Sequence, residues 1–224
     1  MMMLRYKYIN LLAAQLLLSF ISPLFSSTAY ARSVIDLAIT VVFFTAIVVV
    51  SSTRKHFIIG MILMVPTLIL TWGIKLYDVE NLEFISLIGS VIFFCYIATL
   101  ILIDTLKAKM VTMDTIAAGI CVYLFFGNIC GFIYAIVGRI DPDAFSVPAA
   151  TASYLGDNIG DISSAMYFSF VTLTTLGYGD ITPINEVARS LAFLEAAMGQ
   201  IYLTVLIASL VGIHISTSDR GEKS

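Results

Sequence analysis

Long apolar stretches, separated by short polar links, dominate this chain. Six of them are long enough to cross a membrane, at 9–25, 34–50, 57–74, 84–103, 115–137 and 190–213. Crossing the hydrocarbon core takes about 20 apolar residues as a helix, since every backbone polar group must be satisfied internally. A shorter apolar stretch, 163–174, lies between the last two. The pattern predicts an all-α integral membrane protein with six transmembrane helices and a short helix that dips into the membrane between the last two.

The composition supports this class. Hydrophobic residues make up 59% of the 224 residues and charged residues only 12%, whereas about 25% are charged in an ordinary soluble domain. We therefore expect the lipid bilayer as a partner, and no nucleic-acid partner, cofactor or enzymatic activity. The three cysteines lie inside predicted spans, so the sequence predicts no disulfide framework.

The charged residues predict the orientation in the membrane. With six spans and the 138–162 loop outside, eight basic residues are cytoplasmic and four are outside, which obeys the positive-inside rule. Both termini are then cytoplasmic, and the outer side holds ten acidic residues. Acidic residues raise the local cation concentration, although salt limits their reach to about 8–10 Å. We expect a multi-pass protein of the cell membrane with an acidic outer face.

Three regions are expected along the chain. Residues 1–110 form a membrane region of four helices, 111–216 a two-helix domain with the long loop, and 217–224 a short cytoplasmic tail. The first 31 residues allow a second interpretation. Arg5 and Lys7, an apolar core and an Ala29-Tyr30-Ala31 cleavage pattern are also the layout of a secretory signal peptide. Cleavage there would leave five spans, and both interpretations stay open.

One polar segment with two glycines follows the short apolar stretch. It reads Thr174-Thr175-Leu176-Gly177-Tyr178-Gly179-Asp180. Glycine at alternate positions permits φ and ψ values that other residues avoid, so that successive carbonyl oxygens can point toward one axis. Such carbonyls can replace the water around a bare cation. Phosphate-binding glycine loops need a third glycine or a Gly-Lys-Ser/Thr ending beside a strand, and this segment has neither.

Residues 163–213 resemble the pore module of the tetrameric potassium channel family. The whole chain resembles, in layout only over 1–110, the bacterial six-helix members with one pore loop and no charged voltage sensor. The resemblance implies that 111–216 is a pore domain, with a re-entrant pore helix, a selectivity filter and four chains around one ion pathway. It also implies potassium sites formed by the filter residues Thr175, Leu176, Gly177 and Tyr178, with Gly179 at the outer turn. Leu176 replaces the commoner valine, which leaves the backbone ligand unchanged.

The resemblance gives roles to the residues around the filter. In the family the tyrosine at the position of Tyr178 packs outward and fixes the filter's width, and acidic replacements accompany poor selectivity. Asp180 is either part of a carboxylate ring that bonds the filter wall at the outer mouth or a solvated turn residue. Thr174 is expected at the inner cavity, where the free carbonyls at the C-terminus of the pore helix favour cations.

One face of the last span is expected to line the inner cavity and gate. At about 100° per residue, four residues share a stripe: Gln200, Leu203, Ile207 and Val211. An apolar ring toward the cytoplasmic end could close the pore by dewetting. Gly199, beside the stripe, either permits a bend at the gate or forms a small-residue packing contact.

Glu195 is the acidic residue well inside a predicted span, which makes it a functional candidate. It lies five residues before Gln200, hence about 140° away around the helix, and therefore points away from the cavity. We expect Glu195 to support the filter from behind, with snorkelling to the outer surface as the alternative.

The resemblance implies a channel that conducts potassium passively as a homotetramer. Two other functions stay open. A potassium transporter subunit would usually carry four imperfect repeats of the filter in one chain, whereas this chain has one copy. A non-conducting membrane assembly protein could also retain a pore fold. The fourth predicted span contains no Lys or Arg, so a steep voltage response is not expected.

Overall fold

The computed structural model describes residues 7–25, 31–50, 53–77, 80–108, 110–148 and 159–221. The helices within these ranges are α1 Lys7–Phe25, α2 Ala31–Val50, α3 Arg54–Tyr77, α4 Glu80–Leu106, α5 Met113–Ile140, α6 Ile162–Leu173 and α7 Glu186–Gly221. A 3-10 turn, Pro142–Ala144, and the strands β1 Phe145–Ser146 and β2 Thr182–Pro183 complete the order. Each predicted apolar stretch is therefore a helix, and the fold is mostly helical.

Within the described ranges, four helices are long and apolar enough to cross a membrane. Their spanning parts are Arg54–Gly73, Leu82–Leu106, Met113–Ile140 and Glu186–Ile213. Val34–Val49 in α2 and Ile162–Leu173 in α6 are shorter apolar helices. The count of six spans therefore stays a prediction.

The last helix differs from the sequence-based bounds at both ends. It begins at Glu186 because Asn185 caps it, accepting a hydrogen bond from the Ala188 N–H at 2.7 Å. Its backbone continues as a helix to Gly221, beyond the predicted end at 213 and into the predicted tail. A polar C-terminal segment can continue a helix without an apolar pattern, which explains the shorter prediction.

A two-stranded ladder was missed by the all-helical expectation. Phe145 pairs with Pro183 and Ser146 with Thr182 in antiparallel register. The Ile184 N–H extends the contact by donating to the Ala144 carbonyl at 2.8 Å. Two residues per strand are too few for an alternating pattern to be recognised. The ladder joins the loop after α5 to the segment that follows the glycine motif.

Helix α5 lies at the centre of the bundle, in contact with α1, α4, α6 and α7. An aromatic cluster fixes α2 and α4 against it. Phe43 stacks on Phe93 with ring centroids 4.2 Å apart, and Phe94 contacts both Phe125 and Phe132 of α5. All five side chains are fully buried. The helices of the predicted membrane region and those of the predicted pore domain thus share one core.

Helix α1 is fastened to the same bundle at its N-terminus. The N–H groups of Tyr8 and Ile9 donate to Asp114 of α5, at 3.1 and 3.3 Å, where a carboxylate complements the helix dipole. The Tyr8 hydroxyl donates to Asp104 at 2.8 Å. Burial, together with Asp104, raises the pKa of this hydroxyl well above its usual range. Loss of α1 by cleavage would remove these partners and uncover α5. Whether residues 1–31 are cleaved stays a prediction.

Candidate ion pathway

The short helix α6 ends where the glycine motif begins. Asp161 caps its start by accepting from the Ser163 N–H at 3.1 Å, and Thr174 caps its end. Three N–H groups of the motif turn back onto the last turn of α6. Thr175 N–H donates to the Thr172 carbonyl at 2.9 Å, and those of Leu176 and Gly177 donate to the Val171 carbonyl at 3.0 and 3.3 Å. The start of the motif is therefore wound against the C-terminus of α6.

These three hydrogen bonds determine where the preceding carbonyls point. A trans peptide directs its N–H and its C=O in opposite directions. The carbonyls of Thr174, Thr175 and Leu176 therefore all point away from α6. In a regular strand, successive carbonyls would alternate between the two sides. The hydrogen bonds thus turn three consecutive backbone carbonyls to the side away from α6, and a row of carbonyls can replace a cation's water.

The backbone dihedrals show how the row is made. Every second residue has a positive φ: Thr175 at 58°, Gly177 at 56° and Gly179 at 78°. Glycine adopts this region without steric cost. For the β-branched Thr175 it is a genuine outlier, of the kind that costs about 1–3 kcal/mol and clusters at functional sites. The glycines were recognised from the sequence. The strained backbone at Thr175 could not be predicted, because threonine does not indicate a positive φ.

The motif is open on the side away from α6. Residues 174–179 are all exposed, and a Cβ added at Gly177 or Gly179 would meet nothing within 4 Å. Tyr178 is 67% exposed and Leu176 54%. At membrane depth, backbone carbonyls are tolerated only where protein buries them or where they line a cavity. This open row therefore fits a pathway that other chains complete.

Asp180 fixes the C-terminal end of the motif. Its Oδ2 accepts from the Tyr167 hydroxyl of α6 at 2.5 Å, and its Oδ1 accepts from the Ile181 N–H at 3.1 Å. The carboxylate thus bonds the wall behind the motif instead of lying free as a solvated turn residue. Tyr167 was not predicted from the sequence, because one more tyrosine in an apolar helix does not stand out.

Comparison with known proteins agrees with this geometry. Residues 142–214 match a protein-family model described as "Ion channel". The chain contains an ion channel domain. Its matched part covers α6, the glycine motif and the membrane-spanning part of α7, together with both strands of the small ladder.

Three relatives match parts of the chain. "Two pore potassium channel a" of Oryza sativa subsp. japonica is 33% identical over 79 residues, which are 35% of this chain and 21% of that protein. "Protein LctB" of Geobacillus stearothermophilus is 30% identical over 79 residues, 57% of its length. "Protein LctB" of Bacillus caldotenax is 38% identical over 55 residues, which are 25% of this chain and 40% of that protein. The chain thus spans from about a fifth to somewhat more than half of these relatives' lengths.

Behind the motif, Glu195 connects α7 with α5 and α6. It lies on α7, is 1% exposed, and contacts Tyr134 of α5 and Ser169 of α6. The Tyr134 hydroxyl donates to Oε2 at 2.6 Å. This burial does not fit the snorkelling alternative. The side chain points away from the free face of α7, as the helical angle predicted, but its two partners were not identified from the sequence.

The end of α6 is held at two further points. The Tyr123 hydroxyl donates to the Leu173 carbonyl at 3.2 Å. Gly199 lies against the same residue, since a Cβ there would meet Leu173 Cδ1 at 2.6 Å and the Leu173 carbonyl oxygen at 3.0 Å. Gly199 therefore makes a close packing contact between α7 and α6, which is one of the two roles expected for it. Its role in a bend at the inner cavity and gate stays a prediction.

The remaining stripe of α7 is largely free in the single chain. Gln200, Ile207 and Val211 are exposed, and Leu203 is half-buried. Thr174 is exposed at the inner end of the motif, where its hydroxyl donates to the Phe170 carbonyl at 2.7 Å. The stripe and Thr174 are therefore available to line a shared cavity below the carbonyl row. Among the described residues, no group of three or more His, Cys, Asp or Glu side chains could hold a metal ion.

Proposed function

We propose that this protein is a potassium-selective channel that conducts passively across the cell membrane. The observation that carries the proposal is the row of carbonyls from Thr174 to Leu176, combined with positive φ at every second residue of the motif. A row of backbone carbonyl oxygens suits a monovalent cation that sheds its water. The rice relative is named as a potassium channel, which supports potassium as the ion.

The proposed assembly is a homotetramer. One chain supplies one carbonyl row, whereas an ion without its water must be surrounded. Helix α7 supports this assembly, because only 6% of the apolar stretch that would cross the membrane is buried in the single chain. Large exposed apolar residues occur along its length, for example Phe193 at 72% and Ile207 at 60%. Three more copies would cover part of this surface and close the pathway. The apolar side chains of Ile207 and Val211 then form the proposed inner gate, and Gln200 faces the cavity above it.

The proposed membrane arrangement has six spans, with both termini in the cytoplasm if residues 1–31 are retained. Helix α6 is then a re-entrant pore helix that enters from the outer side. The acidic outer face raises the cation concentration near Asp180. Potassium ions and lipid are the proposed partners, and neither a cofactor nor an enzymatic step is required.

Purified protein in liposomes tests conduction and assembly together. We expect potassium efflux that scales with protein, and a tetramer as the conducting species in native mass spectrometry. A transporter subunit would show no passive flux without its partner, and a pore-like assembly protein would show none at all. A stable dimer that conducts would contradict the proposal that four chains, each with one carbonyl row, surround the ion.

Conductance is expected to depend only weakly on voltage. Helix α4, from Glu80 to Leu106, contains no Lys or Arg. Moving one charge through 100 mV supplies about 2.3 kcal/mol, so steep opening requires several charges inside the field. Conductance–voltage curves in planar bilayers check this prediction, and a slope that requires three or more gating charges per subunit would refute it.

Tyr167→Phe is expected to shorten channel openings while potassium selectivity is retained. The substitution removes the donor to Asp180 without changing the packing of the ring. A hydrogen bond to a charged group contributes about 1.5–3 kcal/mol, so the open probability should fall by about tenfold or more. Single-channel recording measures it. Tyr96→Phe on α4, which removes a hydroxyl bonded to His56 instead, is the matched control. Equal open probabilities in wild type and Tyr167→Phe would contradict a role of the Tyr167–Asp180 hydrogen bond in keeping the channel open.

A further inference from the structure

Five oxygen atoms of four residues behind the filter form a chain of three short contacts, which the carboxyl group of Glu195 joins. Ser169 Oγ lies 2.7 Å from the Gly127 carbonyl oxygen and 2.5 Å from Glu195 Oε1. Glu195 Oε2 lies 2.6 Å from the Tyr134 hydroxyl. The chain therefore runs from the backbone of α5, through α6, to the carboxyl group of α7, and back to a side chain of α5.

These contacts need more protons than serine and tyrosine can supply. Each contact between two oxygens at such a distance is attractive only when a proton lies between them. Ser169 and Tyr134 carry one hydroxyl proton each, and the Gly127 carbonyl carries none. Tyr134 uses its proton on Oε2. Ser169 can donate either to Gly127 or to Glu195, but not to both. The third proton must therefore belong to the carboxyl group of Glu195.

The surroundings of Glu195 contain no charge that would stabilise a carboxylate. From α5 it is faced by the titratable groups Tyr134, Cys130 and Tyr123, and from α6 by Ser169. All of these are neutral groups. Within the described ranges, no salt bridge to Glu195 is formed, and the side chain is 1% exposed. A buried carboxylate without a cation is strongly disfavoured, whereas a neutral acid with both oxygens bonded is not.

We infer that Glu195 holds a proton while the filter is intact, and that loss of this proton at alkaline pH closes the filter. This inference rests on the proposed channel function. The neutral acid donates through Oε1 to Ser169, which leaves the Ser169 proton for Gly127. After deprotonation, Ser169 must turn its proton toward Glu195, and its bond to α5 is lost.

The link from Ser169 to the filter is short. Ser169 lies on the last two turns of α6, directly before Phe170 and Val171. The Val171 carbonyl holds the N–H groups of Leu176 and Gly177, and the Phe170 carbonyl holds that of Thr174. A displacement of α6 at Ser169 therefore moves the acceptors that orient the carbonyl row. Ser169 and Glu195 are positioning residues, since neither is placed at the ion pathway.

The decisive variant is Glu195→Gln. Glutamine has an N–H donor for Ser169 and a carbonyl acceptor for Tyr134, so it reproduces the bonds of the neutral acid but cannot titrate. We expect wild-type potassium flux in liposomes to fall by fivefold or more from neutral to strongly alkaline pH, while Glu195→Gln stays constant. Glu186→Gln, an exposed acid at the start of the same helix, is the control and should behave as wild type. The inference would be overturned if flux through Glu195→Gln fell at alkaline pH as in wild type. It would also be overturned if flux through the wild type did not change with pH.

Infrared spectroscopy gives a second readout that does not depend on conduction. The carbonyl stretch of a protonated, buried carboxyl group should be present in wild type, absent in Glu195→Gln and lost from wild type as the pH is raised. Its absence from wild type at neutral pH would refute the proton count. If no protein conducts at any pH but the band behaves as expected, the channel proposal fails and the protonated state of Glu195 stands.

Discussion

Gly177→Ala is expected to abolish potassium conduction. Gly177 has φ at 56°, and an added Cβ would meet no atom within 4 Å. The expected effect therefore comes from backbone conformation and not from a clash. An L-residue in this region costs about 1–2 kcal/mol, hence about 4–8 kcal/mol over four chains. Rotation of the peptide to a negative φ would relieve this strain but would turn a carbonyl out of the row.

Gly73→Ala is the matched control for this experiment. Gly73 lies on α3, where an added Cβ also meets nothing, but its φ is not in the left-handed region. We expect wild-type flux from Gly73→Ala and background flux from Gly177→Ala, with the same yield of tetramer from both. Wild-type flux from Gly177→Ala would show that the carbonyl row is not the ion pathway.

Tyr178→Asp is expected to raise sodium permeability relative to potassium by about tenfold or more, which corresponds to about 1.4 kcal/mol. The ring stands between two residues of positive φ and is 67% exposed in the single chain. In the proposed tetramer this exposed ring packs outward and sets the width of the filter. Aspartate removes the packing and adds a charge. Paired sodium and potassium flux assays in liposomes measure the ratio.

Tyr178→Phe separates the ring from the hydroxyl. Phenylalanine retains the packing surface, so we expect its selectivity to stay near that of wild type. If Tyr178→Asp conducts with an unchanged ratio, the assignment of Tyr178 to the filter wall is wrong. If Tyr178→Phe loses selectivity as fully as Tyr178→Asp, the hydroxyl and not the ring would set the width.

The sequence predicted the features that appear as a distinctive residue composition or as a periodic pattern along the chain. Apolar stretches identified the seven α-helices that the structure describes, because burial in lipid demands long runs of apolar residues. The two glycines identified the motif, since few backbone tasks require them at alternate positions. The direction of Glu195 followed from the helical angle to Gln200.

The features that the sequence did not predict depend on contacts between distant residues. Nothing in an apolar helix marks Tyr134 or Ser169 as partners of Glu195, although Ser169 is a buried polar residue and could have drawn attention. The packing of Gly199 against Leu173 is decided by the approach of two helices. The β1–β2 ladder is decided by the path of a loop. Such features arise from tertiary packing, which a local pattern does not encode.

In the proposed channel, the carbonyl row of this chain forms a potassium-selective pathway. The most direct measurement is the reversal potential of the purified wild-type protein in a planar bilayer, with potassium on one side and sodium on the other. A selective filter predicts a reversal potential displaced far from zero, toward the value at which potassium alone is at equilibrium. A reversal potential near zero with robust current would contradict potassium selectivity, and the absence of any current would contradict conduction.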